Sequence, residues 1–276
     1  MTINCLGKLI DLGQPRVMGI LNLTPDSFYD GGRFSSSDLV VRQAARMLEE
    51  GATFIDLGAY SSRPGATHIS EEEELARLLP AVDRLLGAFP GILLSVDSFR
   101  STVAKHCLDR GVAIINDISA GALDHKMMAT VAAFRAPYIM MHMKGRPQDM
   151  QEQAQYRDLA GEVLYYFSEK LAQARQLGIN DCILDPGFGF AKTMDQNYAL
   201  LQQLDQITGF GFPVMVGLSR KSMIYKLLNS SAQEALNGTT ALHMVALIKG
   251  ARILRVHDVK EAMECIALFK ALQNKY

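Results

Sequence analysis

The chain has no tryptophan, only four cysteines and almost no net charge, and each shortage excludes something. Cys5, Cys107, Cys182 and Cys265 stand far apart with no C-x-x-C pair. That spacing offers neither a zinc site nor a disulfide framework, so these residues are expected to be reduced and buried. With 28 basic residues against 29 acidic ones the formal charge is −1, and nothing electrostatic calls for nucleic acid or an anionic membrane as partner. No run approaches the roughly 20 apolar residues of a membrane span. The opening MTINCLGKLIDLG has neither the basic start nor the apolar stretch of a secretory signal, which makes the cytoplasm the expected compartment. No charge block, low-complexity tract or proline-rich linker divides the 276 residues, 49% of them hydrophobic. Such a chain can bury its core within a single domain, 1–276.

What the sequence does have is a repeat. Eight short apolar runs each end on a polar residue: MGILN, FIDLG, ILLSVD, AIIND, YIMMH, CILDP, VMVGLSRK and ILRVH. Their polar ends are Asn22, Asp56, Asp97, Asn116, His142, Asp185, Lys221 and His257. Between the runs lie segments of helical period. The first spans 38–50, with Val40, Ala44, Met47 and Leu48 on one face. The second opens on a capping-box pattern, Ser70 with Glu73, and carries Leu75, Leu78, Leu79, Val82, Leu85 and Leu86 at helical spacing. Its acidic run Glu71 to Glu74 is a solvated first turn that suits the helix dipole, not a ligand set. Further helices are expected over 100–110, 124–134, 156–177, 194–204, 222–229, 239–249 and 258–274.

Alternating strand and helix signals predict repeated βα units on a parallel sheet, and eight of them suit a closed (β/α)8 TIM barrel. Ile3 to Leu6 and Lys8 to Leu12, flanking Gly7, predict a short N-terminal hairpin that closes the barrel floor. The alternative is an open doubly wound sheet. Its glycine fingerprint is missing, because Gly187-Phe188-Gly189 comes late and lacks the required spacing. In a barrel the strand ends and the loops after them share one mouth, so distant polar residues converge there. The loops 24–37, 61–69 and 144–155 stand out by length or composition as possible lids. The histidines form no metal-ligand pattern; His142 alone of the unassigned ones sits at a strand end, as a possible pocket wall.

Seven segments carry a resemblance: MGILNLTPDSFYDGG at 18–32, SSRPG at 61–65, SVDSFR at 95–100, IINDISAG at 114–121, ILDPGFGFAKT at 183–193, GLSRKS at 217–222 and RVHDV at 255–259. In this order, over nearly the whole chain, they resemble the dihydropteroate synthases, folate-pathway enzymes that join a pterin to p-aminobenzoate. The resemblance implies a (β/α)8 barrel, a homodimer and a magnesium ion. It also implies two small-molecule substrates, hydroxymethyl-dihydropterin diphosphate and p-aminobenzoate.

For the pterin, it implies contacts from Asp97, Asn116, Asp185, Lys221 and Arg255. A carboxylate can accept adjacent donors on the heterocycle's amide edge, and a planar guanidinium can lie against its face. For the diphosphate it implies Asn22, Arg63 and His257, with Asn22 also offering its amide oxygen to magnesium. Around p-aminobenzoate it implies Phe28, Ser62, Pro64, Phe190, Ser219 and Lys221. The groups bearing on the chemical step itself would be Lys221, Asp97 and Arg63. No covalent nucleophile is expected: GLSRKS lacks the second glycine of a nucleophile elbow, and the sequence places no helper histidine beside its serine.

One loop departs from the family pattern. Where its members usually read G-G-E-S-T-R-P-G, this chain has Gly58-AYSSRPG. Ser62 keeps the hydroxyl of the usual threonine, while Tyr60 replaces a carboxylate by a phenol. That change keeps a non-catalytic pterin-binding relative in view. A related methyltransferase that serves a corrinoid protein is a weaker alternative, since it needs neither TPDSF nor SRPG.

Overall fold

The computed structural model describes residues 1–23, 36–60 and 69–273. It begins with an antiparallel hairpin, β1 (Thr2–Cys5) and β2 (Lys8–Asp11), paired Ile3 to Ile10 and Cys5 to Lys8. Eight parallel strands follow: β3 (Arg16–Asn22), β4 (Phe54–Gly58), β5 (Leu94–Asp97), β6 (Ile114–Asp117), β7 (Tyr138–Met141), β8 (Cys182–Asp185), β9 (Met215–Val216) and β10 (Ile253–Val256). Their order is β8-β7-β6-β5-β4-β3-β10-β9. A parallel bridge from Leu184 to Val214, with Leu184 N–H donating to Pro213 O at 2.9 Å, joins the two ends. The sheet is therefore a closed barrel, and the open doubly wound alternative is excluded.

The helices are α1 (Ser36–Glu49), α2 (Glu71–Ala88), α3 (Ser101–Leu108), α4 (Met127–Phe134), α5 (Leu159–Gln176), α6 (Met194–Gln202), α7 (Leu204–Thr208), α8 (Ser222–Leu227), α9 (Leu236–Ile248) and α10 (Val259–Gln273). Ser70 caps α2 by accepting from Glu73 N–H at 3.2 Å. Thr193 and Gln196 close a reciprocal capping box on α6. The expected helix over 194–204 breaks after Gln202, so that α6 and α7 are separate pieces. No helix among the described residues is long and apolar enough to cross a membrane.

Side chains alternate along each strand, and this alternation sorts the core into two shells. Leu21, Leu57, Val96, Ile115, Leu184 and Val256 belong to the shell packed under the helices. Met18, Phe54, Ile114, Ile139, Ile183, Met215 and Ile253 form a second cluster with Ile3, Cys5, Ile10 and Leu12. The hairpin thus plugs the N-terminal end of the barrel with apolar side chains, each contributing about 1.5–3 kcal/mol when fully buried. All four cysteines are free and buried, as their spacing predicts.

Candidate active site

Toward the C-terminal ends of the strands the inward positions turn polar, and neighbouring strands bring them into register. Asn22, Gly58 and Asp97 lie on adjacent rungs of β3, β4 and β5, and Asp97 pairs in turn with Asn116 on β6. Below them sits Asp56, wholly buried. Its Oδ2 accepts from Arg255 Nε at 2.6 Å and from Asn116 Nδ2 at 3.0 Å. Arg255 reaches on through Nη2 to Asp97 Oδ2 at 2.7 Å. One guanidinium therefore ties two carboxylates together, and one of those carboxylates orients an asparagine.

The charges in this floor shift one another. Burial pushes Asp97 up to about 7, with the nearby Asp56 adding to the rise and Arg255 opposing it. Burial alone would lower Arg255, but Asp56 and Asp97 outweigh it and hold the guanidinium above its ordinary range. Asp56 Oδ1 is buried and accepts no hydrogen bond from the described residues, which leaves spare acceptor capacity at the base of the pit.

Across the mouth stands Asp185, at the end of β8. Its Oδ1 accepts from Gly187 N–H at 2.8 Å, and burial raises its pKa against the pull of Lys221. Lys221 donates to Phe188 O, and its ammonium lies 4.8 Å from the centre of the Phe190 ring. Burial lowers this lysine to about 8. The turn between Asp185 and Phe190 needs glycine at its first bend: Gly187 has φ +70°, and a Cβ there would meet His142 O at 2.1 Å.

The third corner lies after β9 and β10. Ser219 Oγ is 3.0 Å from His257 Nδ1 and also accepts the His257 backbone N–H at 3.2 Å. The structure thus supplies the histidine that the sequence could not place beside GLSRKS. With the hydroxyl donating to Nδ1, the ring proton is assigned to Nε2. His257 is exposed, and its neighbour Asp258 forks onto Arg220 at 2.8 Å through both carboxylate oxygens.

Of the residues expected at the site, Asn22, Asp97, Asn116, Asp185, Phe190, Ser219, Lys221, Arg255 and His257 are at strand ends or in the loops directly after them. Phe28, Ser62, Arg63 and Pro64 fall outside the described residues. Asp56 acquires a place that its sequence context did not give, as the shared anchor of Asn116 and Arg255. His142 is a wall, though not of the mouth. Its ring meets Tyr166 of α5 edge-on at 4.9 Å and lines a cavity of about 500 Å³ with Lys144, Arg157 and Glu162.

Sequence reading missed three supports. Asp117 faces outward and is wholly buried. It accepts from Tyr138 Oη at 2.6 Å, Gly121 N–H at 2.7 Å and both Ser119 donors at 2.8 Å, fixing the loop after Asn116. Buried Glu74 pairs with Arg100, correcting the view of the whole acidic run as solvated. Tyr60, where the resemblance leads one to expect a carboxylate, packs edge-on against Phe99 at 5.2 Å and accepts from Gln148 Nε2 at 2.8 Å. It ties the end of β4 to the loop after β7. The signal available for Asp117 was its place after the apolar run 113–115, and for Glu74 its helical spacing to the buried Leu78, Ala81, Val82 and Leu85, where an unpartnered charge is costly.

Among the described residues no group of three or more His, Cys, Asp or Glu could hold a metal ion. Magnesium held mainly by phosphate oxygens and water needs no such cage. Asn22 fits that mode: its Oδ1 lies at the mouth beside Gly58, where a Cβ would sit 3.7 Å away.

Residues 18–257 match the model of a family described as pterin binding enzyme. The dihydropteroate synthase of Escherichia coli strain K12 is 43% identical over 277 residues, covering 98% of this chain and 96% of that protein. Two solved structures of the Xanthomonas albilineans dihydropteroate synthase superpose closely. The one with 4-aminobenzoic acid gives a TM-score of 0.93 at 37% identity, covering 100% of this chain and 99% of the other. The one in complex with 7,8-dihydropteroate gives 0.90 at 34% identity, with both chains covered fully, 100% and 100%.

Proposed function

The chain belongs to the pterin binding enzyme family, and from that premise we propose that it acts as a dihydropteroate synthase in folate synthesis, joining hydroxymethyl-dihydropterin diphosphate to p-aminobenzoate with release of diphosphate. The observation that carries this reading is the floor of the barrel mouth. Asp97, Asn116 and Asp185 offer acceptors and a donor to a flat heterocycle, and Arg255 is held between Asp56 and Asp97 with one-fifth of its side chain exposed. Such a set suits a pterin edge and face. The whole acts as a single pterin-binding domain.

The reaction transfers the pterin methylene. Its C–O bond breaks, diphosphate leaves with the electron pair, the aromatic amine forms the new C–N bond, and the amine then loses a proton. No protein nucleophile is needed. The cysteines offer none, since burial pushes Cys5, Cys107 and Cys182 up to about 12. Asp97, Asn116 and Asp185 orient the pterin, while Lys221 lies between it and the amine and places positive charge beside the reacting carbon's substituents. Ser219 fixes the His257 ring so that Nε2–H can donate to the leaving diphosphate, and Asn22 and Arg63 hold the rest of that group. Phe190 and Ser219, with Phe28, Ser62 and Pro64 by resemblance to the family, are the residues assigned to p-aminobenzoate and to keeping water from the reacting carbon. Magnesium, when bound, would add positive charge at the diphosphate, held by Asn22 and by the substrate's own phosphate oxygens.

Leu227, Leu228, Val245, Ile248, Leu268 and Leu272 are all exposed on or beside α8, α9 and α10. Apolar residues concentrated on neighbouring helices support a homodimer through this side of the barrel.

Purified protein supplied with the pterin diphosphate, labelled p-aminobenzoate and magnesium is expected to form labelled dihydropteroate, and chelation of magnesium to stop it. Pterin binding without product would instead indicate the non-catalytic relative. The charge states add a second expectation. Below about 7 Asp97 becomes protonated and loses acceptor strength, and above about 8 Lys221 loses its charge. A plot of kcat/KM for the pterin diphosphate against pH should therefore peak between these limits. A flat profile from pH 6 to 9 would remove both groups from the ionisations that matter.

A further inference from the structure

We propose that Lys192 is a positioning residue for the aromatic amine: its buried Nζ pins the backbone on both sides of Phe188, so that Lys221 can turn from that backbone to substrate without the loop giving way. The inference rests on the functional reading above and deepens it.

Lys192 closes the GFGFAK segment and is only 3% exposed. Its Nζ lies 3.0 Å from Gly187 O, 3.0 Å from Phe190 O, 3.4 Å from His142 O and 3.1 Å from His142 Nδ1. Three carbonyl oxygens and, with its proton on Nε2, the His142 ring nitrogen offer more acceptors than the three N–H groups of an ammonium can fill, and they would leave an apolar side chain surrounded by unpaired acceptors. The carboxylate that bears on it is Asp185, which favours its charged form. Burial lowers Lys192 to about 7 against the pull of Asp185, and the carbonyls are the nearest groups that offset the cost of holding its charge.

Two of those carbonyls, Gly187 O and Phe190 O, belong to the loop that carries Phe190 into the wall of the amine site. The two lysines divide the loop between them, Lys192 taking Gly187 and Phe190 and Lys221 taking Phe188. The remaining oxygens are also engaged: Gln151 donates to Gly189 O at 3.3 Å, and Tyr156 to Ala191 O at 2.9 Å. Asn197 accepts from Gly189 N–H at 2.6 Å and donates to Lys192 O at 3.3 Å. Ala191 is held at φ +48°, a left-handed backbone that a residue with a Cβ adopts only under constraint. Lys221 also faces the floor, where Asp185 and Asp97 pull on its charge and Arg255 opposes them. Once it engages substrate, Phe188 O loses its donor. The contacts of Lys192 at Gly187 and Phe190 then keep the Phe190 ring in place. None of them touches Asp97, Asn116 or Arg255; of the pterin contacts only Asp185 meets this loop, through the Gly187 N–H, and Asp185 is itself held in β8, so the pterin half depends on the loop less than the amine half.

The test is steady-state kinetics on the full chain with magnesium, comparing the unchanged protein with Lys192→Met and Lys192→Gln. Lys192→Met should raise KM for p-aminobenzoate at least tenfold while KM for the pterin diphosphate stays within twofold. Lys192→Gln, which keeps two N–H donors without the charge, should give a smaller rise with the same selectivity; it is the deciding variant if Lys192→Met does not fold. An unchanged KM for p-aminobenzoate, or equal rises for both substrates, overturns the proposal. Absence of dihydropteroate from the unchanged protein would bring down the functional reading instead, and this inference with it.

Discussion

Asp185→Asn is expected to lower kcat/KM for the pterin diphosphate about 1000-fold, a loss of about 4 kcal/mol in transition-state stabilisation. The Gly187 N–H already occupies Oδ1 of Asp185 at 2.8 Å. An asparagine keeps that bond with its own oxygen and must then turn its NH2 toward the ligand. A donor would face the donors of the pterin edge, so one charged hydrogen bond is lost and a repulsive contact replaces it. Because the local turn survives, thermal stability should change little. Calorimetric titration with the pterin diphosphate should show the loss in affinity directly. A kcat/KM within tenfold of the unchanged protein would remove Asp185 from pterin recognition.

Asp56→Ala acts on the other large term, the integrity of the floor. It leaves Arg255 Nε and Asn116 Nδ2 without their shared acceptor in a wholly buried place. Breaking a buried ion pair from one side costs about 3–5 kcal/mol. The lower figure applies because Asp97 still holds Nη2 of the same guanidinium. A loss of about 3 kcal/mol corresponds to a fall of about 6 to 12 °C in Tm for a domain of this size. Pterin affinity should fall as well, since Arg255 and Asn116 both lose their fixed orientation. Adding Arg255→Met to Asp56→Ala removes the stranded guanidinium but leaves Asp97 without its partner, so part of the Tm and none of the affinity should return, the more so at acid pH where Asp97 is neutral. A single variant with unchanged Tm would show that Arg255 finds another anchor.

Asp56 also shows where reading the sequence stops. FIDLG reads as a strand with a polar residue near its end, but β4 runs on to Gly58 and Asp56 lies one inward position deeper. Its partners come from β6 and β10, 60 and 199 residues away. No local pattern encodes such a meeting, because it depends on barrel closure and on register between strands. Lys192 is illegible for the same reason: His142 is 50 residues distant. By contrast Ser70 capping α2 needs only a residue three positions on, and sequence alone gives it.

Local chemistry, legible in one dimension, determined the eight βα repeats, the apolar hairpin that plugs the floor, and the polar strand ends that mark the mouth. These rest on alternation, helical period and capping, all of them short-range. Tertiary structure alone decided which polar ends work together. Asp56 became an anchor, Ser219 acquired His257, His142 turned away toward α5, and two lysines came to share one loop. The physical reason is that hydrogen bonds and ion pairs act over about 3 Å in space, and only a closed barrel brings side chains from opposite ends of the chain within that reach.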